Sequence, residues 1–388
     1  MPEEKVIENK IGRFIIRDSL DSEQYIKSMN FDKDIYKDLE DEGMSVPMEL
    51  QRIFDEMKGE QSPYYGLTDI DVALLKKNME LKGETPPDTA LEISLKKAGI
   101  ITGGSFSTKF EKLFQGGETI RFLVPALLTQ FFISGMIATS LTEKFVAMSS
   151  VLDEDRIKKL MLESTEEETR LVEIEEMVDI PEAIIKIGEY DVPMFKFGKY
   201  LKVSWGTMKN YTINAVNLFI RQLGQQVGVD KTNRCFYIFI NGDGNSGTTP
   251  AGTYEFLTSG TITPEDAINF SLSLPDGYDM RAMVAPKLLL SEYWASIMAA
   301  LQNPQSQFGY AGLSLPAAYH WDNTNSPIPS DNFLGSAITN GLALFTTGAV
   351  KTKSEQIIRK MFDGIAFYYN EGWAVIDPNA HRIGDETH

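Results

Sequence analysis

The sequence predicts an α+β fold, and three observations predict it. The final third alternates helix and strand signals, with one compact α/β-like stretch near residues 250–345. Residues 192–205, VPMFKFGKYLKVSW, alternate between two side-chain sets with the period of a strand. Residues 210–227 place Ile213, Val216, Ile220, Leu223 and Val227 at spacings of three and four, the period of a helix with one apolar stripe.

The remaining elements follow in order. Before residue 100 the chain reads as short helices with acidic faces. One, around PMELQRIFDEM, stops at Gly59. A second starts at Thr68, where T-x-x-D forms a capping box with Asp71, and stops at Gly83. A third begins near Pro87 and ends before Gly99. Apolar residues are sparse here, so residues 1–104 are expected to form a poorly buried, separate segment. Gly103, Gly104, Ser105, Ser107, Thr108, Gly116 and Gly117 then read as an arm or linker. A strand is expected near 144–148. An acidic run covers 153–179, and together with the alternating 192–205 segment it suggests a long two-stranded excursion. A lone hairpin is marginal in water, so a long one packs on something else. The 210–227 helix is expected to end at Gly228, with RCFYIFI as an apolar strand after it. Thr263 and Pro264 start a helix, RAMVA reads as a strand, and Pro286 opens another helix. Residues 303–335 read as a loop, and QIIRKMF, IAFYYN and WAVIDP as paired strands.

Length and composition bound the function. A chain of 388 residues allows two or three domains, and 43% hydrophobic with 24% charged residues supports a real core. Cys235 is the single cysteine, so no internal disulfide can form. The net charge of −18 does not suit a surface built to grip phosphates, although such a wall can enclose DNA without sticking to it. The opening MPEEKVIENK has no apolar stretch and is not expected to be a signal peptide. The apolar segment 122–138 is short for a membrane span and carries Pro125, Thr129, Gln130 and Ser134. It is expected to be buried core or interface.

The motifs that suggest chemistry fall short of it. Gly242, Gly244 and Gly247 give a literal G-x-G-x-x-G, but TTPAGTYEF follows where a phosphate-binding helix would have to open. Asp243 stands nearly alone, which does not make a calcium loop. His320, His381 and His388 lack zinc-site spacing. His320 beside Asp322 has no marked nucleophile. Glu167, Glu168, Glu175 and Glu176 sit on a polar run and do not converge as glycosidase carboxylates would. No catalytic, cofactor or metal residue is therefore assigned.

The order of the segments resembles a known family. An acidic helical start and a Gly/Ser arm precede RFLVP at 121–125. IPE at 180–182 and FKFGKYLKVS at 195–204 lead into the long helix. NGDGN at 241–245, AG at 251–252 and GWAVIDPNA at 372–380 complete the series. The closest pieces are 196–204, 242–252 and 374–380. This order is similar to that of tailed-bacteriophage major capsid proteins with the Hong Kong ninety-seven type of fold, over roughly residues 105–388.

The resemblance implies a division of the chain. Residues 1–104 would be a scaffold-like segment, cleaved in some members. Residues 105–149 would hold the N-arm and the start of the peripheral domain, and 150–205 the extended E-loop. Residues 206–249 would carry the spine helix of the peripheral domain. Residues 250–345 would be the axial domain, and 346–388 the C-terminal peripheral strands. It implies a structural protein that assembles with itself into hexamers and pentamers, through E-loop and N-arm contacts, into an icosahedral head around double-stranded DNA. A scaffold, portal and protease are possible partners, without cofactor or membrane. The implied location is the virion head, with the host cytoplasm during assembly. The candidate assembly residues are Phe195, Lys196, Phe197, Gly198, Trp205, Gly242, Gly244 and Gly252. The alternatives are an encapsulin-like compartment shell, a virion adaptor that only binds capsid, and an enzyme with an α/β domain.

Overall fold

The computed structural model describes residues 5–9, 12–16, 44–58, 62–97, 99–100, 108–109, 118–151, 156–163, 186–204, 210–244, 251–257, 260–275, 277–302, 316–323, 325–338, 341–346, 350–357 and 362–385. In chain order the first elements are β1 (Lys5–Asn9), β2 (Gly12–Ile16), α1 (Val46–Lys58), α2 (Asp69–Leu81), α3 (Ala90–Lys97) and α4 (Glu118–Thr139). Next come β3 (Val146–Val151), β4 (Arg156–Glu163), β5 (Lys186–Pro193), β6 (Phe195–Ser204), α5 (Ile213–Asn241), β7 (Gly252–Glu255), α6 (Pro264–Ser271) and β8 (Ala282–Ala285). The last are α7 (Lys287–Gln302), β9 (Ala317–His320), β10 (Asn332–Ser336), β11 (Leu342–Thr346), β12 (Lys351–Ile357), β13 (Phe362–Val375) and β14 (His381–Asp385). Helix and sheet are both extensive, as an α+β fold requires. The chain divides into a first unit (1–140, 196–231 and 348–369) and a second (141–195, 232–347 and 370–388).

In the first unit, local chemistry sets the helix starts. The Ser45 hydroxyl accepts from the Met48 N–H at 3.3 Å ahead of α1. Thr68 and Asp71 form the expected reciprocal box at α2. Thr89 and Glu92 do the same at α3, with the Thr89 N–H donating to the Glu92 carboxylate at 2.9 Å. Residues 5–16 correct the expectation of helices alone in this part of the chain. There β1 pairs antiparallel with β2, a choice favoured by the β-branched and aromatic Val6, Ile7, Phe14 and Ile15.

The helices α1–α3 are not a poorly buried, separate segment. Leu50, Ile53, Leu91 and Leu95 are fully buried in one core with Leu123, Leu127, Leu128 and Ile133 of α4 and Ile213 and Ile220 of α5. Few apolar residues suffice because their spacing puts them on one face of each short helix. Polar ties join the layer. The Gln51 amide donates to Asp55 at 3.1 Å and Ser62 at 2.9 Å, and its oxygen accepts from the Ala90 N–H at 2.9 Å. The Tyr64 hydroxyl donates to the Pro87 carbonyl at 2.7 Å. The Lys77 ammonium donates to the Ile137 carbonyl at 2.8 Å, near the end of α4.

Residues 118–139 also depart from the arm expected for this part of the chain. They form α4, whose apolar side chains fill the unit's centre, with Pro125 inside the helix. The segment is buried core, as its composition suggested, and among the described residues no helix is long and apolar enough to cross a membrane. Helix α4 packs very closely on α5. A Cβ on Gly135 would come within 2.1 Å of the Arg221 carbonyl oxygen, and one on Gly224 within 2.1 Å of the Phe132 carbonyl oxygen. Gly228 meets the Met136 carbonyl oxygen in the same way, at 2.3 Å. This overturns the reading of Gly228 as a helix end: the glycine is there for a crossing helix, and α5 continues through RCFYIFI to Asn241. That apolar run is too short for periodicity to separate strand from helix. Strand β12 pairs with residues 362–368 of β13, and β6 also pairs with β13. Phe132 stacks on Phe367 with centroids 4.8 Å apart.

The second unit is built on a sheet in the order β7-β14-β10-β8-β9. Strand β14, from the end of the chain, runs parallel to β7 and antiparallel to β10. Residues expected to be peripheral strands thus complete the sheet assigned to 250–345. The region expected to be a loop, 303–335, contributes β9 and the start of β10. Residues 303–315 lie outside the described residues. Phe256, Phe270, Tyr293 and Phe333 form a ring cluster under α6 and α7. The predicted cap of α6 is present: Thr263 and the fully buried Asp266 bond reciprocally, and Asp266 also accepts from the Leu257 N–H at 2.9 Å. A second cluster surrounds Phe145, Cys235, Phe236, Phe239 and Trp373. Strand β11 lies parallel to β3 and antiparallel to residues 371–375 of β13.

Strands β4 and β5 form a two-stranded antiparallel sheet, from Arg156 opposite Pro193 to Glu163 opposite Lys186. The expected hairpin excursion is therefore present between 156 and 193. Strand β6 is not its second arm: residues 196–204 belong to the first unit.

Candidate assembly surfaces

The residues expected to act in assembly fall into two groups. Phe195, Lys196, Phe197 and Gly198 lie on β6, and Gly242, Gly244 and Gly252 lie in the second unit. Trp205 lies outside the described residues.

Strand β6 is an exposed ribbon of aromatic and basic side chains. Phe195, Phe197 and Tyr200 are 44%, 37% and 40% exposed. The Lys196 ammonium stands 4.6 Å from the Tyr368 ring centroid, and Phe197 stacks on Tyr369 at 5.7 Å. The Lys202 ammonium lies 5.7 Å from the Tyr200 ring. Within the second unit, the Arg234 guanidinium sits 5.4 Å from the Phe195 ring. Cation–π and stacking contacts of this kind hold the side chains in place but leave much of their surface in water. Gly198 allows the close approach of β13: a Cβ there would be 3.1 Å from the Phe367 carbonyl oxygen.

The three other glycines serve the chain path of the second unit. Gly242 and Gly244 have φ of +78° and +84°, which L side chains rarely adopt. Gly242 closes α5, its N–H donating to the Ile238 carbonyl at 2.8 Å. Asp243, between them, accepts from the Val375 N–H at 2.9 Å and ties the turn to β13. At Gly252 a Cβ would meet the Arg382 guanidinium at 2.2 Å. Gly247 lies outside the described residues, and the next described element is strand β7 rather than a helix.

Two apolar faces went unremarked in the sequence. On α5 and just ahead of it these are Leu218, Phe219 and Tyr211, 62%, 56% and 52% exposed; on α7 they are Leu288, Trp294 and Met298, 74%, 39% and 51% exposed. The available signal was phase. Leu218 and Phe219 are out of step with the buried stripe of Ile213, Val216 and Ile220. Groups of exposed apolar side chains on helices mark contact surfaces more often than scattered ones do.

Two buried titratable groups lie apart from these surfaces. Burial pushes the Asp69 carboxyl up to about 6, against a hydrogen bond from Ser45. Burial lowers His381 to about 3; its ring stands edge-on to Phe239 at 4.1 Å. His320 is exposed at the end of β9. Glu167, Glu168, Glu175 and Glu176 lie outside the described residues. Among the described residues no group of three or more His, Cys, Asp or Glu is placed to hold a metal ion.

No family model and no curated protein matches the sequence. Solved structures do resemble it. The capsid of a native GTA particle is 13% identical with a TM-score of 0.48, covering 64% of this chain and 91% of that one. The capsid of cyanophage P-SCSP1u is 13% identical with a TM-score of 0.44, covering 63% and 88%. An encapsulin complex from Synechococcus elongatus is 10% identical with a TM-score of 0.44, covering 63% and 86%. At such identities and TM-scores, the functional reading rests on this chain's own residues and elements.

Proposed function

We propose that this chain is a shell subunit, a major capsid protein that assembles with itself into hexamers and pentamers of an icosahedral phage head around double-stranded DNA. The observation that carries the reading is the β4–β5 hairpin. It has eight paired residues in each strand and, among the described residues, is a sheet of two strands. Such a ribbon gains too little burial alone to hold its length in water. Draped over a neighbour, it gains the missing contact. In the second unit Val192 anchors its base among Ala343, Phe345 and Ala374.

The surfaces agree with that role. A closed shell needs heterologous contacts, one patch of each copy meeting a different patch of the next. Strand β6, the outer face of α5 and the outer face of α7 are distinct patches on one chain. The net charge of −18 suits a wall that encloses DNA without holding it. On this reading the protein is structural, works in the virion head after assembly in the host cytoplasm, and meets scaffold, portal and protease as assembly partners.

Size-exclusion chromatography with light scattering on the purified chain tests the proposal. Pentamers, hexamers or particles far above the 43.5 kDa of one chain are expected. A monomer at every concentration up to about 100 μM, with or without co-expressed neighbouring genes, would sink it.

A further inference from the structure

We propose that the cleft between α2 and the α4–α5 pair binds a small phosphate monoester with a hydroxylated body, of the sugar-phosphate class. The cleft holds about 590 Å³, within the size range of sites for small organic molecules. Both walls belong to the first unit, so the site is complete in one copy and does not depend on how the chain assembles.

The first observation is two cations with no carboxylate of their own. Lys77 and Arg221 both line the cleft, and among the described residues neither is in an ion pair. Both are fixed to the same turn of α4. The Lys77 ammonium donates to the Ile137 carbonyl at 2.8 Å. The Arg221 backbone lies against Gly135, where a Cβ would stand 2.9 Å from the Arg221 Cα. A phosphate monoester is mostly a dianion at pH 8, which suits two cations, and a guanidinium offers it paired N–H donors.

The carboxylates that line the same cleft are engaged elsewhere or screened. Glu92 is held by Lys76 at 2.6 Å, and Asp88 by Lys96 at 2.5 Å. Asp69 lies eight residues back along α2 from Lys77, about 12 Å of helix rise, and takes its hydrogen bond from Ser45. Glu80 is exposed, so water screens its charge.

The second observation is a set of polar groups without partners beside these cations. Asn217 stands one helical turn before Arg221 on α5, and its side-chain oxygen is buried with no hydrogen bond. Gln130 and Ser134, one turn apart on α4, line the cleft too, and among the described residues neither side chain is hydrogen-bonded. A buried acceptor without a donor is costly, and a phosphate cannot supply the donor. A hydroxyl on the ligand body can, and it bonds equally well to the Gln130 amide and the Ser134 hydroxyl. Val72, Ala73 and Phe131 give the carbon skeleton an apolar bed.

The test titrates ribose 5-phosphate into the full chain at pH 8 and low salt, read by ligand-detected NMR. Wild type should bind it with a dissociation constant at or below about 1 mM. Arg221→Gln and Lys77→Met should each weaken it about tenfold or more, because each removes a hydrogen bond to a charged group. Two separate variants keep the test readable if one of them melts early. Asn217→Leu should weaken ribose 5-phosphate and leave inorganic phosphate unchanged. Lys144→Gln, at an exposed lysine of the second unit, should change neither. Equal binding by wild type and both charge variants would overturn the inference, as would no binding at about 10 mM. Inorganic phosphate binding as tightly as the sugar phosphate, or an Asn217→Leu chain that binds both as wild type does, would mark an adventitious ion only. Duplex DNA that displaces the sugar phosphate, and loses its own binding with Arg221, would give the cations to a nucleic-acid backbone and overturn it as well.

Discussion

Gly224 of α5 faces Phe132 of α4 so closely that a Cβ on Gly224 would stand 2.1 Å from the Phe132 carbonyl oxygen. Backbone meets backbone at this crossing, and Gly135 and Gly228 extend it in both directions. The long helix is thereby fixed against the most apolar helix of the first unit. Gly224→Ala should destabilise the chain by about 1–3 kcal/mol, because the clash is with backbone and outweighs the roughly 1 kcal/mol that Ala gains in a helix. Chemical denaturation of this variant, beside the exposed Gln222→Ala, checks it. A Gly224 variant as stable as wild type would contradict the packing.

The layer α1–α3 should behave as a permanent part of the first unit. Deleting residues 1–100 uncovers Leu123, Leu127, Leu128 and Ile133 and should give an insoluble or dye-binding product. A subunit recovered from assembled particles should retain residues 44–100 in peptide mapping. A soluble, cooperatively melting deletion would show that the layer is dispensable.

His381 should make the second unit sensitive to acid. Its folded pKa, about 3, lies below the ordinary value of 6.5. Above pH 6.5 both folded and unfolded forms hold it neutral. As pH falls from 6.5 toward 3, the unfolded chain takes up a proton that the fold refuses, and stability drains away. His381→Gln should flatten the slope of stability against pH in that window. An unchanged slope would mean that the ring is not confined as described.

Asp69 should act in the opposite sense. Its folded pKa, about 6, lies above the ordinary 3.8, so the fold holds the proton more tightly than the unfolded chain does. The contribution of Asp69 to stability is fully present below pH 3.8 and is lost as pH rises through 6. Asp69→Asn should therefore stabilise the chain at pH 8 and have little effect at pH 4, read from melting curves at both values. Loss of stability at pH 8 would contradict it.

Much of the fold was legible where local chemistry decides structure. The boxes at Thr68–Asp71 and Thr263–Asp266 set two helix starts, because cap geometry needs only neighbours in sequence. The period-two run at β6 was legible for the same reason. RCFYIFI was not, since an apolar run of that length suits a buried strand and a buried helix equally, and Gly228 looked like a stop until α4 was seen against it. The sparse apolar residues of α1–α3 misled because burial depends on what an amphipathic face meets. The insertion of β14 between β7 and β10 is a long-range pairing that no local signal specifies. Of the surfaces, the alternation of β6 could be read from sequence, while Leu218, Phe219, Leu288 and Trp294 needed the structure to separate outer from buried faces.

Negative-stain microscopy of the purified chain tests the central claim most directly. Closed shells of uniform diameter, or rings with five- and six-fold symmetry, are the predicted result. Fields of single particles no larger than one 43.5 kDa chain, at concentrations where the protein is folded by its melting curve, would contradict the account.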